Sequence, residues 1–166
     1  MKKIVIMLWL FFILAGTGFC ENQKTFLGTS PYFNYTIEYP QNWQATDMYG
    51  FAVIAAPEQN KEKVLVTVAD LSKKPMSLEE FANVWLKITS LEMQNFQIID
   101  KGETTIGDKK ALFYIYTGEK EGIKLKCKRY TFSEKTNIYE LTYEARDEHF
   151  DKYFNDAENI IKSIKY

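Results

Sequence analysis

The sequence predicts an α+β fold with a central antiparallel β-sheet flanked by helices. Three observations predict it. Strand-like segments follow one another with short connections, which favour antiparallel pairing because parallel strands need a long crossover. One helical segment separates two groups of strands, and a second closes the chain. The 166 residues, 46% hydrophobic and 26% charged, fit one globular domain and exclude collagen, low-complexity disorder and a disulfide-dense miniprotein.

The first group of strands precedes the first helix. Residues 34–39 alternate in polarity and Pro40 ends the run, which predicts a half-buried strand. Its apolar face carries Tyr35, Ile37 and Tyr39. Two short apolar runs, 51–56 and 64–69, are typical of buried strands.

The first helix is predicted over residues 78–93. Ser77 and Glu80 have the spacing of a capping box, which satisfies two backbone N–H groups at a helix start. Apolar residues follow at helical spacing, and we expect them in the core. They are Leu78, Phe81, Ala82, Trp85, Ile88 and Leu91.

Four further strands are predicted to form a meander. They cover residues 97–106, 111–117, 123–132 and 138–145, with turns at 107–108, 118–122 and 133–137. The segment 111–117 is apolar on both faces, which predicts that it is a central strand.

The last helix is predicted over residues 147–163. Acidic residues suit the positive end of the helix dipole, and Asp147, Glu148 and Asp151 lie in its first turn. One apolar stripe predicts the face that packs on the sheet. It contains Phe150, Tyr153, Phe154, Ala157, Ile160, Ile161 and Ile164.

Residues 1–20 have the pattern of a signal peptide. Lys2 and Lys3 precede an unbroken apolar run of eleven residues, 4–14. That run is too short to cross about 30 Å of hydrocarbon. We expect export with cleavage, and no later apolar run predicts a transmembrane helix in the mature chain.

Cys20 ends this segment where a bacterial lipoprotein carries its lipidated cysteine. Ordinary cleavage near Gly16 or Gly18 is the alternative. Lipidation would anchor the chain stably, because two or more acyl chains suffice. Residues 21–30 are predicted to be a polar tether, and residues 31–166 the folded domain.

The charge balance excludes a dedicated nucleic-acid binder, which needs a clear basic excess. The net charge is −1, and removal of residues 1–20 takes away two lysines and no acid, so the mature chain carries −3. Nucleic acid is therefore not an expected partner. The expected partners are the membrane, through the lipid anchor, and a protein of the envelope.

Two isolated residues have competing interpretations. Trp43 closes a turn after Pro40 and is expected to cap the sheet edge, with ligand binding as the alternative. Cys127 is the one thiol left after residue 20 and is expected to be buried and inert. A pair of Cys127 with His149, the only histidine, is the catalytic alternative. Since no nucleophile motif surrounds the cysteine, we predict no enzyme.

A row of cations marks one strand. Lys124, Lys126 and Lys128 alternate, so their side chains share one sheet face, and Arg129 adds a charge on the other face. The pattern is compatible with a solvated strand face that protects a sheet edge. The functional alternative is a docking stripe for an acidic protein or for anionic lipid headgroups.

Acidic residues around His149 form the metal candidate. Asp147, His149 and Asp151 could contribute ligands for Ca²⁺ or Zn²⁺. Consecutive helical residues point in different directions, so a charged, solvated helix start is the alternative. No metal motif supports the site, and no cofactor is predicted.

Five segments, in this order, resemble segments of PsbP-like proteins. The first ends in a Pro-x-x-Trp turn, the second begins a helix, the third is a hairpin, and the last two are a strand and a closing helix. They are residues 33–43, 77–82, 107–116, 139–145 with Phe150, and 161–165. The resemblance spans roughly residues 30–166.

The resemblance implies an α-β-α sandwich, as in PsbP, the extrinsic subunit of the oxygen-evolving complex of photosystem II. Its wider fold group includes a nuclear Ran-binding protein and bacterial envelope lipoproteins. These relatives imply a binding or assembly module rather than an enzyme. We therefore expect a membrane-anchored extracytoplasmic lipoprotein, with a small-ligand or metal-binding envelope carrier as the alternative.

Overall fold

The structure is a computed structural model that describes residues 23–57 and 62–166. The predicted export segment, residues 1–20, lies outside the described residues. The elements in chain order are β1 (Gln23–Thr29), β2 (Asn34–Pro40), β3 (Gln44–Met48), β4 (Phe51–Ala55), β5 (Lys63–Asp70), α1 (Leu78–Glu92), β6 (Gln94–Ile106), β7 (Lys109–Lys120), β8 (Ile123–Glu134), β9 (Asn137–Arg146), a short 3₁₀ helix (Asp147–His149) and α2 (Phe150–Lys162).

Seven strands form one antiparallel sheet in the order β3-β4-β5-β9-β8-β7-β6. The predicted four-strand meander is confirmed as β6 to β9. The prediction that residues 111–117 form the central strand is wrong, because β5 pairs with β9 and so makes β9 the inner strand. The segment lies in β7, second from the edge, where α1 packs on it.

β6 and β3 are the two edges of this sheet. β6 has 13 residues and β3 has five. The pairing of β6 with β7 is irregular between Gln94 and Gln97 and again between Ile98 and Asp100. Such bulges bend a strand and increase its twist, so the first half of β6 is not a flat edge.

The predicted tether, residues 21–30, is a strand over most of its length. Gln23–Thr29 form β1, which pairs with all of β2 in a separate two-stranded sheet. Within β1 only Gly28 is buried, so the strand lacks the hydrophobic alternation that reveals strands in a sequence. A backbone ladder holds it instead, and the folded domain includes these residues as well as 31–166.

β2 and α2 cover one face of the large sheet. The predicted apolar faces of both elements are confirmed, since the relevant side chains are buried between them and the sheet. α2 begins later than predicted, because the first three residues of the segment form the 3₁₀ helix. The buried side chains include Tyr35, Ile37, Tyr39, Phe150, Tyr153, Ile160 and Ile161.

Trp43 lies in this core and does not cap the sheet edge. Its side chain is fully buried, and its ring packs edge-on against that of Tyr153 of α2, with centroids 5.8 Å apart. The Trp43 N–H donates to the Pro40 carbonyl at 3.0 Å, closing a turn between β2 and β3. This turn folds the indole beneath α2.

α1 begins as predicted. Ser77 Oγ accepts a hydrogen bond from the Glu80 N–H, and the Glu80 carboxylate accepts one from the Ser77 N–H. Its apolar stripe, however, is only partly in the core. Phe81 is buried, whereas the side chain of Leu91 is 80% exposed. The reason is that α1 packs mainly on β6, β7 and β8, over a small apolar cluster.

The two helices cover opposite faces of the sheet. Neighbouring residues of a strand point to opposite sides. In β8, Arg129 contacts Thr89 of α1, whereas Lys128 contacts Glu158 of α2. Neither α1 nor α2 is long and apolar enough to span a bilayer, a statement that covers the described residues alone.

The antiparallel ladders fix which strand ends lie together. Gln23 pairs with Pro40, and the turn at Trp43 leads from there to the start of β3. Successive register pairs then place the end of β4, the start of β5, the end of β9 and the β7–β8 turn at the same end of the molecule. We call it the Gln23 end. The opposite end carries the β3–β4 turn and is called the Tyr49 end.

Candidate functional site

α2 covers two members of the predicted lysine stripe. Lys126 is half-buried, with its Nζ 4.3 Å from the centroid of the Phe150 ring. Lys128 has a side chain only 15% exposed, and its Nζ lies 3.2 Å from Glu158 Oε1. Lys124 is exposed. The stripe is therefore not an open surface, because α2 lies over its second half.

Lys128 and Glu158 belong to a buried polar contact between β8 and α2. The Tyr130 hydroxyl donates to Glu158 Oε1 at 2.6 Å, and the Lys128 ammonium lies 4.9 Å from the Phe154 ring centroid. Burial, followed by the hydrogen bond to Glu158, raises the pKa of Tyr130. Aromatic rings and a carboxylate thus replace water around the ammonium.

Arg129 lies beneath α1 on the other face. Its Nε donates to Thr142 Oγ1 at 3.1 Å, and its guanidinium carbon lies 5.6 Å from the Trp85 ring centroid. Its Nη1 lies 3.8 Å from Glu140 Oε1. Arg129 therefore joins α1 to β9, and all of these contacts are made within the chain.

Glu140 is the buried acid of this cluster. Its side chain is almost fully buried, and burial raises its pKa to about 7 although Arg129 and a hydrogen bond from Thr67 oppose the shift. Sequence reasoning missed it, because Glu140 alternates with apolar neighbours like any exposed strand residue.

The predicted metal ligands are not brought together. His149 Nδ1 lies 3.0 Å from Glu62 Oε1 and 2.7 Å from Arg146 Nη2, so its ring faces neither Asp147 nor Asp151 in these contacts. Within residues 23–57 and 62–166, no group of three or more His, Cys, Asp or Glu side chains is placed to hold a metal ion.

Glu62 is the partner that sequence reasoning missed. It is fully buried at the Gln23 end, and its Oε1 accepts a hydrogen bond from Arg146 Nε at 2.8 Å. Burial would raise its pKa, but hydrogen bonds from Arg146 and His149 and the charge of Arg146 hold that pKa below its ordinary value. No local signal marks it, because its partners lie 84 and 87 residues away.

Cys127 is buried as predicted, with 1% of its side chain exposed. Burial raises its pKa to about 12, which disfavours the thiolate that a nucleophile needs. Its hydrogen-bonding neighbour is Tyr116, whereas the His149 ring contacts Glu62, Arg146 and Glu148. The two residues of the catalytic alternative thus have separate partners.

Two shallow clefts lie at the Gln23 end, and both include Lys124 and Asp147 in their walls. Their volumes are about 220 and 380 Å³. Both are open and lined largely by polar side chains. Small-molecule sites are more often enclosed and apolar, so the clefts do not favour the carrier alternative.

Most of the large exposed apolar side chains fall into three groups. On α1, Val84, Ile88 and Leu91 recur at helical spacing and form one exposed flank. We call this the α1 flank. Ile98 and Ile99 of the edge strand β6 are exposed as well.

The third group lies at the tip of the Tyr49 end. Tyr49 is 97% exposed and has φ +59°, in a two-residue turn with Gly50 between β3 and β4. Such turns require positive φ at both positions, which a bulky residue adopts at a cost. Asp47 Oδ1 accepts a hydrogen bond from the Gly50 N–H at 2.7 Å and stabilises the turn. Met48 and Tyr32 are also exposed at this end.

Comparison with known proteins identifies the fold. The sequence matches no protein-family model and no curated protein. Cyanobacterial PsbP (CyanoP) from Synechocystis sp. PCC 6803 is similar in structure, with 11% identity, TM-score 0.61, and coverage of 90% of this chain and 95% of that chain.

Two further solved structures are similar. LpqN, involved in cell envelope biogenesis of Mycobacterium tuberculosis, has 14% identity and TM-score 0.59 over 86% of this chain and 90% of its own. The Saccharomyces cerevisiae Ran-binding protein Mog1p has 9% identity and TM-score 0.54 over 87% of this chain and 95% of its own. Identities this low establish the fold alone, and they confirm the predicted α+β, PsbP-like architecture.

Proposed function

We propose that this chain, which has the PsbP-like fold, is a non-catalytic binding module of a bacterial envelope, held at the membrane by a lipidated Cys20. The N-terminal lysines, the apolar run and the cysteine at position 20 support export and anchoring. An envelope protein of Mycobacterium tuberculosis among the structural neighbours supports the same compartment.

The exposed apolar α1 flank carries the binding role. Val84, Ile88 and Leu91 lie at positions i, i+4 and i+7, and each exposes more than a third of its side chain. A helix that covers a sheet normally turns such a stripe toward the core. Grouped apolar side chains on a surface mark contacts with other proteins. The partner is therefore an envelope protein with an apolar surface of its own.

The chemistry of the reactive side chains supports a non-catalytic module. Cys127 is buried with a raised pKa, and the His149 ring is held by Glu62 and Arg146. Neither side chain is therefore placed to act as a nucleophile or a general base on a substrate.

Photo-crosslinking in bacterial cells tests this function. A photoreactive amino acid replaces Leu91 in one variant and Ser90 in the matched control, because Ser90 is the exposed neighbour that lies off the flank. We expect position 91 to crosslink to one discrete envelope protein and position 90 to crosslink far less. The crosslink should disappear when Val84→Glu and Ile88→Glu are added. No crosslink at position 91, or equal crosslinking at both positions, would contradict the proposal.

A further inference from the structure

β1 fixes the start of the described chain to the domain. All seven residues from Gln23 to Thr29 are in register with β2. Phe26 packs on Tyr35, with ring centroids 6.1 Å apart. Gln23 therefore moves with the two-stranded sheet rather than as part of a free tether.

β2 is in turn joined to the C-terminal segment that follows α2. The Thr36 N–H donates to the Lys165 carbonyl at 2.8 Å, and the Lys165 N–H donates to the Thr36 carbonyl at 2.9 Å. Ser163 Oγ accepts a hydrogen bond from the Glu38 N–H at 2.8 Å. Through these contacts the position of Gln23 is fixed relative to α2 and the large sheet beneath it.

The distance from Cys20 to Gln23 is short. Three residues of extended chain span at most about 10 Å. A lipidated cysteine lies at the headgroup level, because its acyl chains are in the bilayer. An unstructured tether over residues 21–30 would have let the domain turn freely, whereas three residues do not.

We infer that the Gln23 end lies against the lipid headgroups and that the Tyr49 end points away from the membrane. This orientation rests on the proposed lipidation of Cys20. The surface near this end carries charges of both signs. Lys24 and Lys124 expose ammonium groups, and Glu121, Asp147 and Glu148 expose carboxylates. Such a charged surface suits the hydrated headgroup layer rather than the hydrocarbon. The exposed aromatic side chains Tyr32 and Tyr49 then face outward, where a protein partner can reach them.

Two turn residues give a matched pair of reporter positions. Glu121 lies in the β7–β8 turn at the Gln23 end, and Lys135 lies in the β8–β9 turn at the Tyr49 end. Both are exposed, and their φ values are +53° and +56°. The twelve residues of β8 separate them, which is about 40 Å of strand.

Fluorescence quenching on the full, acylated chain tests the orientation. Glu121→Cys and Lys135→Cys are each labelled with a fluorescent maleimide, and Cys127 stays unlabelled because it is buried. The labelled proteins are placed in vesicles of phosphatidylethanolamine and phosphatidylglycerol that contain a lipid with a quencher on its headgroup. We expect several-fold stronger quenching at position 121 than at position 135. A fifteen-residue Gly/Ser insertion between Asn22 and Gln23 should remove the difference.

Intact mass and membrane fractionation separate the two ways to fail. A chain that carries no acyl mass on Cys20 and behaves like Cys20→Ala in fractionation contradicts the proposed anchoring, and the orientation with it. A chain that is acylated and membrane-bound, but shows equal quenching at positions 121 and 135, overturns the orientation alone.

Discussion

Glu140 and Arg129 form an ion pair in a place where water is scarce. The carboxylate and the guanidinium are 3.8 Å apart, and Glu140 Oε1 makes no hydrogen bond to the described residues. Because the pair is not geometrically tight, the attraction does not fully offset the cost of removing the carboxylate from water. The cost of burial therefore outweighs the attraction of Arg129, and the pKa of Glu140 is raised to about 7.

The free energy of unfolding should therefore depend on pH through Glu140. The folded state holds a proton on Glu140 between pH 4.5 and about 7 that the unfolded state releases, so this residue lowers the free energy of unfolding as the pH rises through that window. Glu140→Gln removes the effect. We expect the free energy of unfolding of the variant, relative to that of the parent, to rise by about 2–3 kcal/mol from pH 4.5 to pH 8. Urea denaturation measures both. Glu103→Gln, at an exposed carboxylate, is the control. Parallel pH profiles for the parent and Glu140→Gln would contradict the prediction.

Other charged residues show what a sequence can predict about single side chains. Alternation correctly places Lys124, Lys126 and Lys128 on one face, because the period of a strand is local. It does not show that α2 covers Lys128, or that Glu62 lies beside His149. Those contacts join distant segments, and neither residue has a local pattern that differs from that of an exposed charge.

The helices and strands differ in how far local chemistry determines them. The capping box at Ser77 and the stripe of α2 are local, and both are confirmed. The sequence does not predict β1, because the strand is held by hydrogen bonds to β2, and these leave no pattern in the composition of β1. The sequence also does not predict that the α1 flank is exposed. Helical periodicity predicts an apolar stripe, but it does not show how much of the sheet lies beneath that stripe.

Removing the cap tests the local contribution to α1. Ser77→Ala loses the acceptor for the Glu80 N–H at 3.1 Å, and we expect the free energy of unfolding to fall by about 1 kcal/mol. Ser90→Ala, on the exposed surface of the same helix, should change it by less than about half of that. Both follow from chemical denaturation at one pH. Equal losses in the two variants would show that the capping box does not stabilise α1.

The whole molecule is asymmetric about its large sheet. One face is covered by β2 and α2 over the main core, and β1 extends that layer. The other face has α1 over three strands and a smaller cluster. The sequence predicts the α+β class and the presence of both helices. Their unequal cover depends on how the two-stranded sheet packs, which is a long-range property.

The domain boundary gives a test at this scale. A chain that starts at Pro31 lacks β1, so Tyr35 loses the ring of Phe26 and β2 loses its ladder partner. We expect its free energy of unfolding to be lower by roughly 2–4 kcal/mol than that of a chain that starts at Gln23. Thermal and urea denaturation measure the difference. Identical midpoints would mean that β1 adds nothing to the fold and that residues 31–166 suffice.

The irregular pairing of β6 has a consequence for copies that share one membrane. Copies held in one membrane by the proposed lipid anchor would diffuse in two dimensions and collide often, and an open strand of 13 residues would offer its unpaired backbone groups to a neighbour. The two bulges between Gln94 and Asp100 break the straight template that such edge-to-edge association needs. β3, the other edge, is only five residues long. The regular pairing that remains runs from Asp100 to Ile106, so the bulges shorten the straight edge through which crowded copies could aggregate.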